Sequence, residues 1–246
     1  RLTESTIVMQ VVIMAGRRGQ RLYPYPLVLP KPLVPLGEKP VLEIVIRQLA
    51  ARGFDHITIA VGYHAELIMA VMGDGSRLGI KIDYSLEETP LNTVGPLTLI
   101  ANLDEPFLVM NGDLLTDLDF RSLFETHRNN GSIATIATHK RHVRLSLGVV
   151  SHDTEKHITG FQEKPSFDYN VSMGIYIFEP RIMNYIPTGK PYGFDQLIAD
   201  LLQKKETVSV YPFEGHWLDM GTLDDLNYAI EEFESHKERY LPTGEK

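Results

Sequence analysis

Between Val11 and Pro35 the chain reads VVIMAGRRGQRLYPYPLVLPKPLVP. An apolar run ends in Met14-Ala15-Gly16, a loop carries Arg17, Arg18 and Arg21, and a Pro-punctuated segment carries Lys31. A strand that stops at a glycine turn aims backbone N–H groups outward, where they can cradle phosphate oxygens; nearby cations supply the matching charge. Much later, two aspartates each follow an apolar run: Asp113 in Asn111-Gly112-Asp113 and Asp219 in Trp217-Leu218-Asp219-Met220-Gly221. Two converging carboxylates suit Mg²⁺ or Mn²⁺, which take one or two protein oxygens and fill their shell with phosphate and water. Spacing alone leaves a second account open, in which Asp113 caps a turn and Asp219 caps the terminal helix. Glu163-Lys164-Pro165 offers a further cation, although alone such a triplet is an ordinary solvated turn.

Other conspicuous residues have simpler readings. His139-Lys140-Arg141-His142 is expected as a solvated turn between strands. Trp217, the single tryptophan, is expected in the core. Tyr23 and Tyr25 flank the Arg-rich loop and either line a pocket or serve loop packing, and Gly73-Asp74-Gly75-Ser76 reads as a turn. Thr93 is placed to cap the helical pattern that follows it.

The elements that must position these groups alternate. Strand-like runs at Val11–Met14, Ile57–Val61, Ile80–Tyr84 and Phe107–Met110 interleave with helical patterns at Val41–Ala51, Ala65–Met72 and Thr93–Ala101. That order predicts a parallel, doubly wound α/β sheet, whose ligands bind outside the C-terminal ends of the strands. The Gly16 loop and the Asn111-Gly112-Asp113 turn fall at such ends and would share one site. A helix over Phe120–Asn129 is followed by β-rich stretches at Ser132–Thr138, Gly148–Ser151, Ile158–Gln162 and Val171–Phe178, an α+β extension of the sheet. A helix at Phe194–Gln203, a strand at Val208–Tyr211 and an amphipathic helix at Leu223–Tyr240 complete the pattern.

The 246 residues, 43% of them hydrophobic, fit one domain over 1–246, with a first half at 8–125 and a second half, which includes the terminal helix, at 126–246. A net charge of −8 argues against nucleic acid or an anionic membrane surface as partner. With no cysteine, disulfides and thiolate chemistry are excluded, which fits a cytoplasmic setting. No apolar run reaches the ~18 residues of a membrane span, and residues 1–10 lack the charged-then-apolar pattern of a secretory leader. An exposed apolar face on Leu223–Tyr240 would allow a homodimer, though packing onto its own domain is the commoner use of such a helix.

Several motifs in order, over nearly the whole chain, resemble those of sugar-1-phosphate nucleotidyltransferases. That family has a strand leading into Gly-Gly-any-Gly-Thr-Arg-Leu and then Pro-Lys-Pro-Leu. Here the same places read Gly16-Arg17-Arg18-Gly19-Gln20-Arg21-Leu22 and Pro30-Lys31-Pro32-Leu33. Asn111-Gly112-Asp113 and Leu218-Asp219-Met220-Gly221 match the family's metal motifs, and Glu163-Lys164-Pro165 its sugar and phosphate motif. Glu87-Glu88-Thr89-Pro90-Leu91-Asn92-Thr93-Val94-Gly95-Pro96-Leu97 is similar to the base-reading loop of guanylyltransferases of the GDP-mannose pyrophosphorylase type. The resemblance implies a Rossmann-like, GT-A-like nucleotidyltransferase fold, a doubly wound mixed sheet with an α+β sugar-binding extension. It implies Mg²⁺ or Mn²⁺ on Asp113 and Asp219, with Arg21, Lys31, Asp113 and Lys164 acting on the phosphates; Arg17, which departs from the family pattern, is expected to add phosphate-neutralising charge beside them. It implies a nucleotide-sugar site that includes Ala15, Gly16, Glu88, Asn92, Gly112, Gly148, Glu163 and Ser172, with Glu88 and Asn92 at the guanine edge.

The departures from the family pattern cluster at that site. Arg17 replaces a glycine and Gln20 a threonine; Asn92 and Val94 replace Gly and Ala; Leu147 stands where Tyr is common; Ser172-Met173 stands where Asn-Ala or Asn-Thr is common. Arginine in place of a glycine that admits a triphosphate leaves less room beside the β- and γ-phosphates. The leading expectation is therefore a GDP-sugar mutase that interconverts pyranose and furanose forms, as in a divergent branch of the family. The alternative is a guanylyltransferase acting on GTP and a sugar 1-phosphate, and a second alternative is a non-catalytic nucleotide-sugar-binding protein.

Overall fold

The computed structural model describes residues 9–17 and 28–241; the expected phosphate ligand Arg21 and the flanking Tyr23 and Tyr25 lie outside the described residues. The first half holds β1 (Gln10–Met14), β2 (Pro35–Leu36), β3 (Lys39–Pro40), α1 (Val41–Ala51), β4 (His56–Val61), α2 (Ala65–Met72), β5 (Lys81–Leu86) and β6 (Phe107–Asn111). The second half adds β7 (Leu114–Thr116), α3 (Phe120–Asn130), β8 (Ala134–Arg144), β9 (Val149–His152), β10 (Ile158–Gln162) and β11 (Ser166–Phe178). It continues with α4 (Phe194–Gln203), β12 (Val208–Phe213), β13 (Trp217–Asp219), α5 (Leu223–Ser235) and α6 (Lys237–Tyr240).

Seven strands form one sheet in the order β12-β8-β11-β6-β1-β4-β5. The β6-β1-β4-β5 part is parallel, β11 runs antiparallel to β6 and β8, and β12 returns parallel to β8. The sheet is therefore mixed, as the family resemblance implied, rather than wholly parallel. Its centre is buried on both faces, which is why Val11–Met14 of β1 is continuously apolar instead of alternating. Val11 and Ile13 face one apolar layer with α1 and α3, while Val12 faces the other with α4. Full burial of a side chain such as Ile13 is worth roughly 1.5–3 kcal/mol. Met14 of β1 lies in register with Asn111 of β6, so the two loops expected at the site leave adjacent strand ends.

Three expectations are corrected. The helix expected over Thr93–Ala101 is a short 3₁₀ turn, Gly95–Leu99. Pro96 lacks an N–H there, and the Val94 and Gly95 N–H groups are taken by Tyr192 O. His139-Lys140-Arg141-His142 is strand, not turn: His139 opposes Val171 and His142 opposes Asp168. Asp168 holds Lys140 at 3.0 Å and also meets His142, so an outlying strand pair carries the charges. The terminal helix breaks at His236, whose φ of −139° leaves the helical region. Thr222 caps α5 reciprocally with Asp225, so Asp219 is not its cap. No described helix is long and apolar enough to cross a membrane.

Candidate functional site

Asp113 occupies the turn between β6 and β7, and Asp219 ends β13. They converge because β13 pairs antiparallel with β7 in a register that sets Asp219 opposite Leu114, the residue after Asp113. The pairing is pinned below by Thr116 Oγ1, which donates to His216 O at 2.8 Å, and by His216 N–H, which donates to Asp117 Oδ1 at 2.7 Å. Lys31 opens a 3₁₀ turn, Lys31–Leu33, whose Pro32 packs on Gly112: an added Cβ at Gly112 would lie 3.4 Å from Pro32 Cγ. The Lys31 ammonium contacts Asp113 Oδ2 and lies 3.7 Å from Asp219 Oδ1. Two carboxylates thus already share one cation, a donor set that fits a hard divalent ion. Among the described residues no group of three or more His, Cys, Asp or Glu side chains could hold a metal, so further oxygens would come from substrate and water.

Next to this centre, Gly16, Arg17, Glu87, Asn92, Thr93 and Asn111 line a small pocket. A Cβ at Gly16 would collide with Glu87 Oε1, and one at Gly62 would lie 2.7 Å from the same oxygen. The two glycines let the Glu87 carboxylate lie against the backbone just beyond the ends of β1 and β4. Its other oxygen accepts the Leu91 N–H at 3.0 Å. Burial pushes the Glu87 carboxyl above the usual carboxylate range, and the Leu91 bond opposes that in part. Glu88, the expected base reader, is exposed and does not line this pocket. The Glu87 N–H still pairs with Val61 O as an extension of β5, and neighbours along a strand face opposite ways. Asn92 does line the pocket, in a left-handed conformation at φ 70° that explains a glycine-like position. Ala15 is buried and its N–H donates to Ala60 O at 2.8 Å, so that N–H is not the group it would offer a ligand.

Of the residues expected on the sugar side, Ser172 lies on β11, whereas Gly148 precedes β9 and Glu163-Lys164 follow β10, which pairs with β9 in a separate two-stranded sheet. The β8–β11 pairing slips between Ser172 and Tyr176, where Gly174 adopts φ 72°. Ser172 Oγ donates to the Tyr176 phenol at 3.2 Å and accepts the Gly174 N–H at 3.3 Å. Burial raises the Tyr176 phenol above its ordinary value, while the Ser172 bond and the charge of Arg17 act the other way. Arg17, which lines the small pocket, is thus also near enough to Tyr176 for its charge to act there. Farther out, Gly148 packs under the Phe161 ring, and a Cβ there would lie 3.4 Å from Glu163 Oε2. Glu163 and Lys164 approach each other at 4.0 Å, both well exposed. Trp217 is core as expected, its indole N–H donating to Met173 O at 3.1 Å beneath the bulge.

A nucleotidyl transferase family model matches residues 10–236. The chain belongs to the nucleotidyl transferase family. A UTP–glucose-1-phosphate uridylyltransferase of Synechocystis sp. is 35% identical over 242 residues, covering 90% of this chain and 62% of that protein. A mannose-1-phosphate guanyltransferase of Candida albicans is 34% identical over 227 residues, covering 89% of this chain and 62% of that protein. The chain thus spans 62% of the length of these two relatives. HddC from Yersinia pseudotuberculosis, solved complexed with GMP-PN, superposes with a TM-score of 0.70 at 25% identity, over 92% of this chain and 99% of HddC.

For a nucleotidyl transferase, Glu87 and Tyr176 are the residues that sequence reasoning passed over. Glu87 had a signal, since it heads the same motif as Glu88. Tyr176 had none that periodicity could supply, because it reads simply as one more residue of a buried strand.

Proposed function

We propose that this chain carries the catalytic site of a sugar-1-phosphate guanylyltransferase, which joins GTP and a sugar 1-phosphate into a GDP-sugar and releases pyrophosphate. The observation that carries the reading is the convergence of Asp113 and Asp219 on Lys31 beside the Gly16 and Glu87 pocket. In the reaction a phosphate oxygen of the sugar 1-phosphate attacks the α-phosphorus of GTP. The bond from that phosphorus to the bridging oxygen breaks, and pyrophosphate leaves with the electron pair. The protein's share is positioning and charge neutralisation. Asp113 and Asp219 would hold Mg²⁺ or Mn²⁺, which supplies positive charge to the phosphates when bound. Lys31 and Arg17 add cations from the first half, and Lys164 one from the second. Arg21, Gly16 and Gly112 belong to the phosphate loop and turn; Gly148, Glu163 and Ser172 serve the sugar.

Guanine is favoured over uracil by the carboxylate at the pocket floor. Guanine presents N1–H and N2–H₂ as adjacent donors, whereas uracil presents one N–H flanked by carbonyls that a carboxylate repels. The guanyltransferase relative and the HddC complex support that choice, and the uridylyltransferase relative is the competitor. The mutase reading is supported by the sequence departures at Arg17, Gln20, Asn92, Val94, Leu147 and Ser172-Met173, of which Arg17 and Asn92 line the pocket. Both relatives are named as transferases, so transfer is the better supported.

The test is pyrophosphate release, with ³¹P and ¹H NMR, from GTP or UTP mixed with mannose 1-phosphate or glucose 1-phosphate and Mg²⁺. Pyrophosphate and GDP-sugar in equal amounts, GTP outrunning UTP, and loss in Asp113→Ala are expected. No pyrophosphate from any pair would refute the proposal, and furanose anomeric signals from a preformed GDP-sugar would then assign the mutase.

A further inference from the structure

The base loop, residues 87–95, is held in place by a segment almost a hundred residues later. Tyr192 N–H donates to Leu91 O at 2.9 Å, and Tyr192 O accepts both the Val94 and Gly95 N–H groups at 3.1 Å. Phe194 N–H donates to Thr93 Oγ1 at 2.7 Å. Two glycines permit this approach: a Cβ at Gly95 would lie 3.0 Å from Lys190 O, and one at Gly193 would lie 3.1 Å from Asn92 Nδ2. The Tyr192 phenol is itself anchored to Asp200 of α4. The Thr93 hydroxyl therefore does not cap the turn that follows it but accepts the first N–H of α4. It receives a backbone bond from the second half of the chain.

The contact continues past the backbone. The Phe194 ring stacks on Tyr176 with centroids 4.1 Å apart and planes 26° from parallel. Tyr176 in turn reaches Ser172 through its phenol, at 3.2 Å. An unbroken path therefore runs from the pocket residues Asn92 and Thr93, through the Phe194 backbone and ring, to Tyr176 and Ser172 on the sugar side. Each link is short and packed, so displacement at one end has no slack to absorb it.

We propose that Tyr192-Gly193-Phe194 is a positioning strap, in which Thr93 and the Phe194 ring make the sugar-side wall respond to nucleotide in the base pocket. The proposal rests on the guanine-nucleotide reading above. Neither Thr93 nor Phe194 needs to touch the reacting atoms: Thr93 lines the pocket and holds the Phe194 backbone, and Phe194 acts through Tyr176.

The experiment is amide hydrogen exchange on the intact chain with GDP and Mg²⁺ as the probe. In the wild-type chain GDP should slow exchange at Leu91–Gly95 and also at Ser172–Tyr176. Phe194→Leu keeps the N–H bond to Thr93 and loses the ring stack. It should retain the slowing at Leu91–Gly95 and lose it at Ser172–Tyr176. Thr93→Val removes one hydrogen bond and should weaken GDP binding about fivefold, with Thr93→Ser restoring it. Slowing at Ser172–Tyr176 that survives Phe194→Leu overturns the strap, as does slowing confined to the base loop in the wild-type chain. No slowing anywhere with GDP overturns the nucleotide reading and the strap with it.

Discussion

Replacing Glu87 by glutamine tests the pocket floor with almost no change of shape. One carboxylate oxygen is committed to the Leu91 N–H, and the other lies where Gly16 and Gly62 leave room. Guanine would gain at least one charge-assisted hydrogen bond from that group, worth about 1.5–3 kcal/mol. Glutamine keeps one acceptor and turns the other position into a donor facing a donor. The kcat/KM for GTP should therefore fall by about 10- to 150-fold, while that for UTP holds or rises. Stability supplies an independent reading. Burial raises the folded-state pKa of Glu87 above its unfolded value. The stability tied to that group is then complete below the ordinary Glu value of about 4.3 and is lost as pH rises through the raised value. Glu87→Gln carries no such loss, so it should be at least as stable as wild type at pH 7, with the advantage disappearing on acidification. Steady-state pyrophosphate release with each nucleotide, and thermal unfolding from pH 4 to 8, measure the two effects. A GTP-to-UTP preference unchanged within about twofold would refute the base assignment, since even one such bond is worth more than that. A stability gap that widens toward acid would refute the burial argument.

Lys31→Met leaves Asp113 and Asp219 facing each other without their shared cation; at 13% and 18% side-chain exposure, the Lys31–Asp113 pair lies between surface and core. The loss should be about 1–3 kcal/mol, or about 3–10 °C in Tm for a chain of this size. Mg²⁺ should recover more of that loss than it adds to wild type, and scanning calorimetry with and without EDTA decides it. Gly174→Ala puts a Cβ at φ 72° and 2.6 Å from Asn111 Nδ2, so urea unfolding should show a loss of about 1–3 kcal/mol. His127 is buried against Thr135 at 2.8 Å, with Glu179 at 3.3 Å, and burial holds its imidazole below the usual range despite that carboxylate. Its folded pKa lies below its unfolded one, so stability present above about pH 6.5 is lost as pH falls through the folded value. His127→Gln should flatten the acid limb of the stability curve, and parallel curves would contradict the assignment.

How much of this was legible depended on where each residue's partner lies. α1, α2 and α4 match their expected limits because each apolar stripe is uninterrupted by glycine or proline. Asp113, Asp219 and Lys31 were legible as chemistry only through the family motifs that hold them, since spacing alone allowed turn and helix caps equally well. Their convergence was not, because it is set by the pairing of β7 with β13, distant in sequence, and by Pro32 against Gly112. Glu88 was chosen over Glu87 because the motif names both, while only the pairing of Glu87 with Val61 decides which faces inward. Thr93 looked like a cap because local rules see only its neighbours, and a backbone donor 101 residues away claimed its hydroxyl instead. The run His139-Lys140-Arg141-His142 looked like a turn for the same reason, with Asp168 across the sheet unseen. These errors share a cause: residue type tells which chemistry is present, whereas direction is set by cross-strand and cross-half partners. The strap follows from the same cause. The loop 87–95 takes its conformation from Tyr192 and Phe194 of the other half of the chain, so under the proposed strap the contacts that local sequence rules missed are those that would join nucleotide to sugar.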